Sequence, residues 1–366
     1  MFRADASQII TYAIDGTDPR LLSQVGPVAA LAYSFALPGG PDQMSCLLQR
    51  SAQSRMKAID PGRIVCIYRG ALRIWEGKLD EAAPDPGGWA ITAHGSGTYG
   101  GDFMAHWTSW NADNPVDQAI TRGLRWVNSG LAASSPYTAS QTDDDSVDVT
   151  THLSNIADPA QLTWYVRTTP TQNRLSMFAL PAAPTRILLA TTPALRTLHG
   201  YFTTLWGKYE ITSAPTYGVT SISNTAQLAR HGPMEAYADL SQDGTNSAGS
   251  AQAILAKILS RYTAASYGGP FTVRPGQVTN LGGQAVDLGT EEAGEVYLLL
   301  LAAGGYGGEV VPALPVTFAG GLYEYDDPSG SATITPYVSV RYDLATLLSN
   351  YATLHTVTTA PAKLKH

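Results

Sequence analysis

Residues 61–95 are punctuated in a way that an antiparallel β meander satisfies best. Pro61-Gly62 opens it, Arg63 to Tyr68 reads as one strand, and Arg69-Gly70 as a tight turn. Leu72 to Leu79 is a second strand, Asp85-Pro86-Gly87-Gly88 another turn, and Trp89 to Ala93 a third strand. Glycine and proline supply turn dihedrals at low cost, so their placement at each reversal fixes where the chain folds back. Upstream, the apolar run Leu31 to Leu37 ends at the breaker Pro38-Gly39-Gly40-Pro41.

Beyond the meander the pattern becomes mixed. Glycines at 95, 97, 100 and 101 mark an element boundary. Asn114-Pro115 is a helix-start signal, and Val116, Ile120, Leu124 and Val127 follow at helical spacing, which predicts a helix over 115–127. The polar stretch 130–150 predicts a loop, while Leu162 to Val166 and Leu175 to Leu180 predict short strands. Phe202 to Thr212 alternates, and Ser223 to Arg230 reads as a short helix with Gly232 at its C-terminal cap. A firmer helix spans 250–262, with Ile254, Leu255, Ile258, Leu259 and Tyr262 on one face. Strands return over 271–340, including a hairpin from Gly320 to Tyr325 and Ala332 to Val340 around the turn Asp326 to Gly330. Asp343 would cap a last helix with Leu344, Leu347, Leu348 and Tyr351 inward. The class expected is α+β, mainly β, with barrel-like β domains and a smaller mixed α/β part.

Composition narrows the function. Only 14% of the 366 residues are charged, against roughly 25% in an ordinary domain. The formal net charge of −7 argues against sequence-independent DNA binding, which needs Lys and Arg to displace counterions. Cys46 and Cys66 sit in apolar surroundings and are expected as free, buried thiols. The N-terminal stretch carries no secretory signal pattern. The longest apolar run, Val296 to Ala303, is too short to cross a bilayer as a helix, which takes about twenty residues. A product made without secretion is expected.

His94 and His106, with Asp102 between them, lack the spacing of a zinc site. Asp143-Asp144-Asp145 lacks the glycine and spaced oxygens of a calcium loop. No G-x-S-x-G elbow is present. Glu76 and Asp80, four apart on one strand, would stand roughly 13 Å apart at ordinary strand rise, too far for a glycosidase pair, so a solvated strand face is expected there together with Glu81. Gly304-Gly305-Tyr306-Gly307-Gly308 lacks the lysine of a phosphate loop and reads as a turn. No catalytic, cofactor-binding or metal-ligating residue is assigned, and no cofactor is expected. Tyrosine (19) outnumbers phenylalanine (7), a composition that suits interfaces. Trp107 and Trp110, beside the glycine cluster, are the candidate contact patch, with domain packing as the plainer reading.

Three stretches carry a resemblance. Pro61 to Gly77 followed by Gly88 to Gly95 resembles the first barrel of phage baseplate-hub and minor tail proteins, with its "PG..V.I..G...W.G" meander. Ser221 to Ser241, leading into Ala251 to Leu259, resembles the "N..S...yG.rE...dls" segment of tail hubs. Tyr323 to Asp327 with Ile334 to Tyr337 is similar to the closing hairpin of minor tail proteins from phages of actinobacteria. The resemblance implies a first barrel-like hub domain at 1–101, a mixed α/β middle domain at 102–200, a second β-rich hub domain at 201–290, and closing strands with a C-terminal helix at 291–366. It implies a homotrimeric, non-enzymatic hub at the virion tail tip of a long-tailed, siphovirus-like phage, assembled in the host cytoplasm. Such a ring joins a sixfold tail tube to a threefold tip. Its partners would be the distal tail protein, the tape measure and other minor tail proteins, with phage DNA passing through its channel and the host envelope met during infection. A hexameric distal tail ring protein is the first alternative. A carbohydrate-binding or wall-degrading virion protein, resting on Trp107, Trp110 and residues 143–145, is the second. In a ring the few charges are expected on the lumen and outer rim, with uncharged Tyr, Thr and Ser surface at subunit contacts.

Overall fold

A computed structural model describes residues 7–49, 56–103, 126–128, 148–157, 162–190, 195–197, 202–211, 216–241, 247–261, 266–268, 270–301 and 316–337. The chain divides into two units, residues 1–193 with 269–337 and residues 194–268 with 338–366. Its strands, in chain order, begin with β1 (Ser7–Tyr12), β2 (Arg20–Leu21), β3 (Val28–Ala36), β4 (Gly40–Gln49), β5 (Ile64–Arg69), β6 (Leu72–Asp85) and β7 (Gly88–Gly95). There follow β8 (Trp126–Asn128), β9 (Thr163–Thr168), β10 (Asn173–Phe178), β11 (Arg186–Ala190), β12 (Leu195–Thr197), β13 (Thr204–Glu210), β14 (Tyr217–Ser223) and β15 (Glu235–Asp239). The last are β16 (Ser266–Gly268), β17 (Phe271–Val273), β18 (Val278–Asn280), β19 (Val296–Leu301), β20 (Val316–Asp326) and β21 (Ser331–Pro336).

The meander expected at 61–95 is β5, β6 and β7, paired antiparallel in that order. Gly62 and Gly70 hold φ of 85° and 60°, the left-handed backbone that a turn asks of glycine. The breaker at 38–41 also turns the chain, but Gly40 and Pro41 already belong to β4. In the first unit these strands enter one 13-stranded sheet, ordered β18-β11-β19-β20-β3-β4-β7-β6-β5-β1-β2, with β21 pairing both β20 and β17. The hairpin expected at 320–340 is β20 and β21, and β20 lies against β3, with Tyr323 opposite Phe35 and Tyr325 opposite Tyr33. Trp75, Phe35, Tyr323, Leu48, Ile67 and Ile91 are fully buried in its core. The Trp75 ring lies over Gly77, where a Cβ would come within 2.3 Å of it, and its Nε1 donates to the Ser34 carbonyl at 3.2 Å.

The sheet curls into a half-barrel, and Arg69 links strands distant in its order. At the end of β5, its guanidinium donates to both Asp287 oxygens at 3.0 and 2.9 Å. It also reaches Asp327 Oδ1 at 3.2 Å and the Tyr325 hydroxyl at 3.3 Å, at the end of β20. Ser7 on β1 donates to the same Asp327 oxygen at 2.8 Å. The Arg69 side chain is 9% exposed, but Asp287 is 48% exposed, so water screens that pair more than the bond to Asp327.

A smaller sheet in the same unit runs β8-β10-β9. The helix Val149–Ala157 packs on it through Val149, Leu153 and Ala157, against Trp126, Trp164 and Leu175. Two expectations are corrected here. Trp126 and Val127, assigned to the end of a helix over 115–127, lie in β8, where Trp126 is buried and pairs beside Asn173; residues 115–125 lie outside the described residues. The polar loop expected over 130–150 gives way at Val149 to a helix, whose first amides are met by Asp148, its carboxylate accepting from Thr151 N at 2.8 Å. The small sheet is docked by backbone: Val166 N donates to Gly39 O at 2.8 Å, and a Cβ on Gly40 would stand 2.3 Å from Val166 O.

The second unit holds the sheet β14-β13-β15 and the pair β12-β16. The helix Ala248–Arg261 covers the sheet with Ala251, Leu255, Ile258 and Leu259, against Leu205, Ala236 and Ala238. The helix expected over Ser223 to Arg230 is Thr225–His231; it starts at Asn224, whose side chain accepts from Gln227 N, and ends at Gly232 with φ 77°, where the sequence placed its cap. Tyr262, Gly304 to Gly308 and the helix expected after Asp343 lie outside the described residues.

Replacing Arg69 by methionine keeps the stem but leaves Asp287 and Asp327 without their shared cation. A loss of about 2 kcal/mol in urea-induced unfolding is expected; a change within ~0.5 kcal/mol would show that the curl closes without it.

Candidate functional site

A polar constellation lies on β5 and β6. The register between them shifts by one residue, with Tyr68 opposite Arg73 but Ile67 opposite Trp75. Residues three apart on a regular strand face opposite sides. The extra residue therefore brings Arg73 and Glu76 to one face and sends Trp75 into the core. Arg73 Nη1 pairs with Glu76 Oε2, and Arg73 Nε donates to Thr169 O at 2.8 Å. Asn173 Nδ2, at the start of β10, donates to Glu76 Oε1 at 2.7 Å. Glu76 is 1% exposed. The expectation of a solvated face is thus overturned for Glu76, because the small sheet covers it. It holds for Asp80 and Glu81, which are exposed.

A second constellation precedes β19. Glu291, Glu292 and Glu295 meet two guanidiniums. Arg186 clasps Glu291 at 2.9 and 3.0 Å and reaches Glu295 at 3.4 Å. Arg167, on β9, donates to Glu292 at 3.0 Å. Burial raises the Glu292 carboxyl to about 7 against the opposing pull of Arg167, and the neighbouring Glu295 and Glu291 add repulsion. Both constellations fasten the small sheet to the large one.

The third feature is a cleft of about 280 Å³ lined by Lys78, Asp80, His94, Thr98, Tyr99 and Asp102. His94 Nε2 stands 3.3 Å from Asp80 Oδ2, and Lys78 Nζ 3.8 Å from Asp102 Oδ2. All four side chains are about half exposed or more, so the ion pairs are weak. Among the described residues no three of His, Cys, Asp and Glu converge as a metal site. Neither Cys46 nor Cys66 is in a disulfide and both are buried, as expected; Cys66 Sγ donates to Glu76 Oε2 at 3.8 Å. Burial pushes the Cys46 thiol up to about 12, which keeps it protonated and unreactive at neutral pH.

Trp107, Trp110, His106 and residues 143–145 lie outside the described residues. The tyrosines found here serve the interior as well as any contact. Tyr33 and Tyr323 are buried, and their hydroxyls donate to Gly289 O and Leu288 O, both at 2.7 Å. Tyr165 and Tyr297 are buried beside the glutamate cluster.

This is an arrangement of joints. Among the described residues, neither the thiols nor the paired carboxylates present a nucleophile with an activating base in an open cleft. No family model and no curated protein matches the chain. Solved structures do. A prophage tail protein, gp18 of Listeria monocytogenes, is 12% identical and aligns over 95% of this chain and 99% of its own, with a TM-score of 0.59. The 43 kDa tail protein of prophage MuSo2 from Shewanella oneidensis is 12% identical over 92% and 99%, also at 0.59. A tail protein from Neisseria meningitidis is 8% identical over 92% and 98%, again at 0.59. The described residues have the mainly β fold of these phage tail proteins.

Two expectations follow. Glu76→Ala leaves Arg73 buried without its anion and should cost about 3–5 kcal/mol in urea unfolding, whereas Asp80→Ala should change stability by less than about 0.5 kcal/mol. Equal effects would show that the covered pair is not a joint. The raised Glu292 carboxyl binds its proton more tightly in the folded state than in the unfolded one, whose value lies near 4.5. Its stabilising effect is whole below that value and is lost as pH climbs through about 7. Glu292→Gln should therefore gain on the wild type by on the order of 1–2 kcal/mol between pH 5 and pH 8. Parallel pH profiles from thermal melts would exclude this.

Proposed function

We propose that the chain is a structural, non-enzymatic subunit of a phage tail, and that it forms the trimeric hub at the tail tip. The observation that carries the reading is the end-to-end likeness to three prophage tail proteins, which leaves little of either chain unmatched. The order of the motifs at 61–95, 221–259 and 323–337 supports the hub over other tail parts and points to an actinobacterial host. In this reading three chains share one axis, a requirement of any closed ring. They dock on the distal tail protein and the sixfold tube, receive the tape measure, and line the path by which DNA leaves toward the host envelope. A net charge of −7 suits such a path, because an acidic wall does not hold phosphates. Virion tail localisation follows from the same reading.

Electron imaging of virions that carry the chain, with the subunit marked by an antibody fragment, counts copies around the tail axis. Three copies at the tip are expected. Six would make it the distal ring, and absence from the particle would sink the tail reading.

A further inference from the structure

The geometry points to a water site built into the first unit: we propose that one ordered water molecule is held in the joint between the small sheet and β6. It accepts from Arg73 Nη2 and donates to Asn173 Oδ1 and Thr168 Oγ1. The proposal is independent of the tail reading.

The three atoms belong to one network. Arg73 Nε donates to Thr169 O at 2.8 Å, and its Nη1 pairs with Glu76 Oε2. Asn173 Nδ2 donates to the other oxygen of that carboxylate at 2.7 Å. Thr168, which precedes Thr169, stands directly opposite Asn173 in the β9–β10 ladder, so their side chains share a face. Arg73 Nη2, Asn173 Oδ1 and Thr168 Oγ1 thus gather at the mouth of one hairpin, against one carboxylate. All three are buried with no hydrogen-bond partner among the described residues. Arg73 is 9% exposed, Asn173 1% and Thr168 8%.

A buried donor or acceptor left unpaired carries its full desolvation penalty. Folded proteins relieve it with internal water, roughly one molecule per 27 residues, each bound to two to four such groups. The inventory here fits one molecule. Arg73 Nη2 can only donate, Asn173 Oδ1 can only accept, and a hydroxyl does either. Water accepts from the first and donates to the other two, which uses one lone pair and both protons. Turning the Asn173 amide over would set its oxygen against the Glu76 carboxylate, so Oδ1 is kept for the water. An anion does not suit the site, because Glu76 already neutralises Arg73 and Asn173 turns an oxygen toward the newcomer. The guanidinium opposes a metal cation.

The surroundings argue the same way. Thr163 Oγ1 and the Tyr165 hydroxyl on β9, and the Tyr297 hydroxyl on β19, are also buried without a partner. Unpaired polar atoms therefore collect where the small sheet meets the large one. A buried ion pair gains most from such a molecule, since a further bond to the guanidinium offsets part of the desolvation that burial imposes on Arg73.

A high-resolution crystal structure of the full chain is the direct test. A water oxygen within about 2.7–3.2 Å of both Arg73 Nη2 and Asn173 Oδ1 is expected. Arg73 Nη2 bonded straight to a protein oxygen, an ion in place of water, or no density between the three atoms overturns the proposal. Thr168→Val gives a separate readout in solution, because it swaps the hydroxyl for a methyl of nearly equal size. If water bridges the hydroxyl, its loss should raise the unfolding constant in urea roughly fivefold. A hydroxyl buried alone is a burden that valine lifts. An unchanged or lower constant, in a variant with the wild-type circular dichroism spectrum, would therefore count against the water just as decisively.

Discussion

One guanidinium links strands that lie far apart in the order of the large sheet. A twisted sheet that does not close by backbone relies on side chains to link strands that are distant in its order. Here Arg69, at the end of β5, bonds Tyr325 and Asp327 at the end of β20 and Asp287 beyond β18. A planar fork suits the task because it can bond several oxygens in fixed directions at once, which the point charge of a lysine cannot. Tyr33 and Tyr323 then reach the carbonyls just past Asp287, so the loop that Arg69 holds is pinned from two sides.

The outside of the curl depends on the extra residue in β6. It lets neighbouring positions serve opposite needs: Trp75 fills the apolar interior while Arg73 and Glu76 turn outward together. The small sheet then sits on a buried ion pair, a close backbone approach at Gly39 and Gly40, and the Arg167–Glu292 bond. Charged pairs of this sort add little net stability over an apolar contact, but a wrong docking leaves a charge buried alone. Position is thereby specified more sharply than strength.

What could be read from the sequence was local. The meander at 61–95, the hairpin around Asp326 to Gly330, and the helix between Asn224 and Gly232 carry their signals within a few residues. Trp75 and Gly77 belong together for a reason readable in the pair, a large ring needing a bare backbone beside it. The helix Val149–Ala157 was missed, although Val149, Leu153 and Ala157 keep helical spacing behind Asp148; the surrounding serine, threonine and aspartate masked a single apolar stripe. Arg69 looked like a turn residue because its partners are 218 and 258 residues away. Glu76 looked solvated because a one-residue slip in register leaves no mark on composition. Long-range partners and strand irregularities are where a periodic reading has nothing to grip.

The pairing of β20 with β3 sets a clock on synthesis. Leu322 lies opposite Ala36, so the neighbour that β3 needs is made nearly three hundred residues later. At ribosomal speed that interval is ~15–60 s. Throughout it β1 to β7 can form their own pairs, but the β3 margin stays open, next to a run of Leu31, Tyr33 and Phe35 that belongs inside. The order of manufacture thus makes the unfinished chain more adhesive than the finished one, and the last strands of the first unit are those that end the exposure.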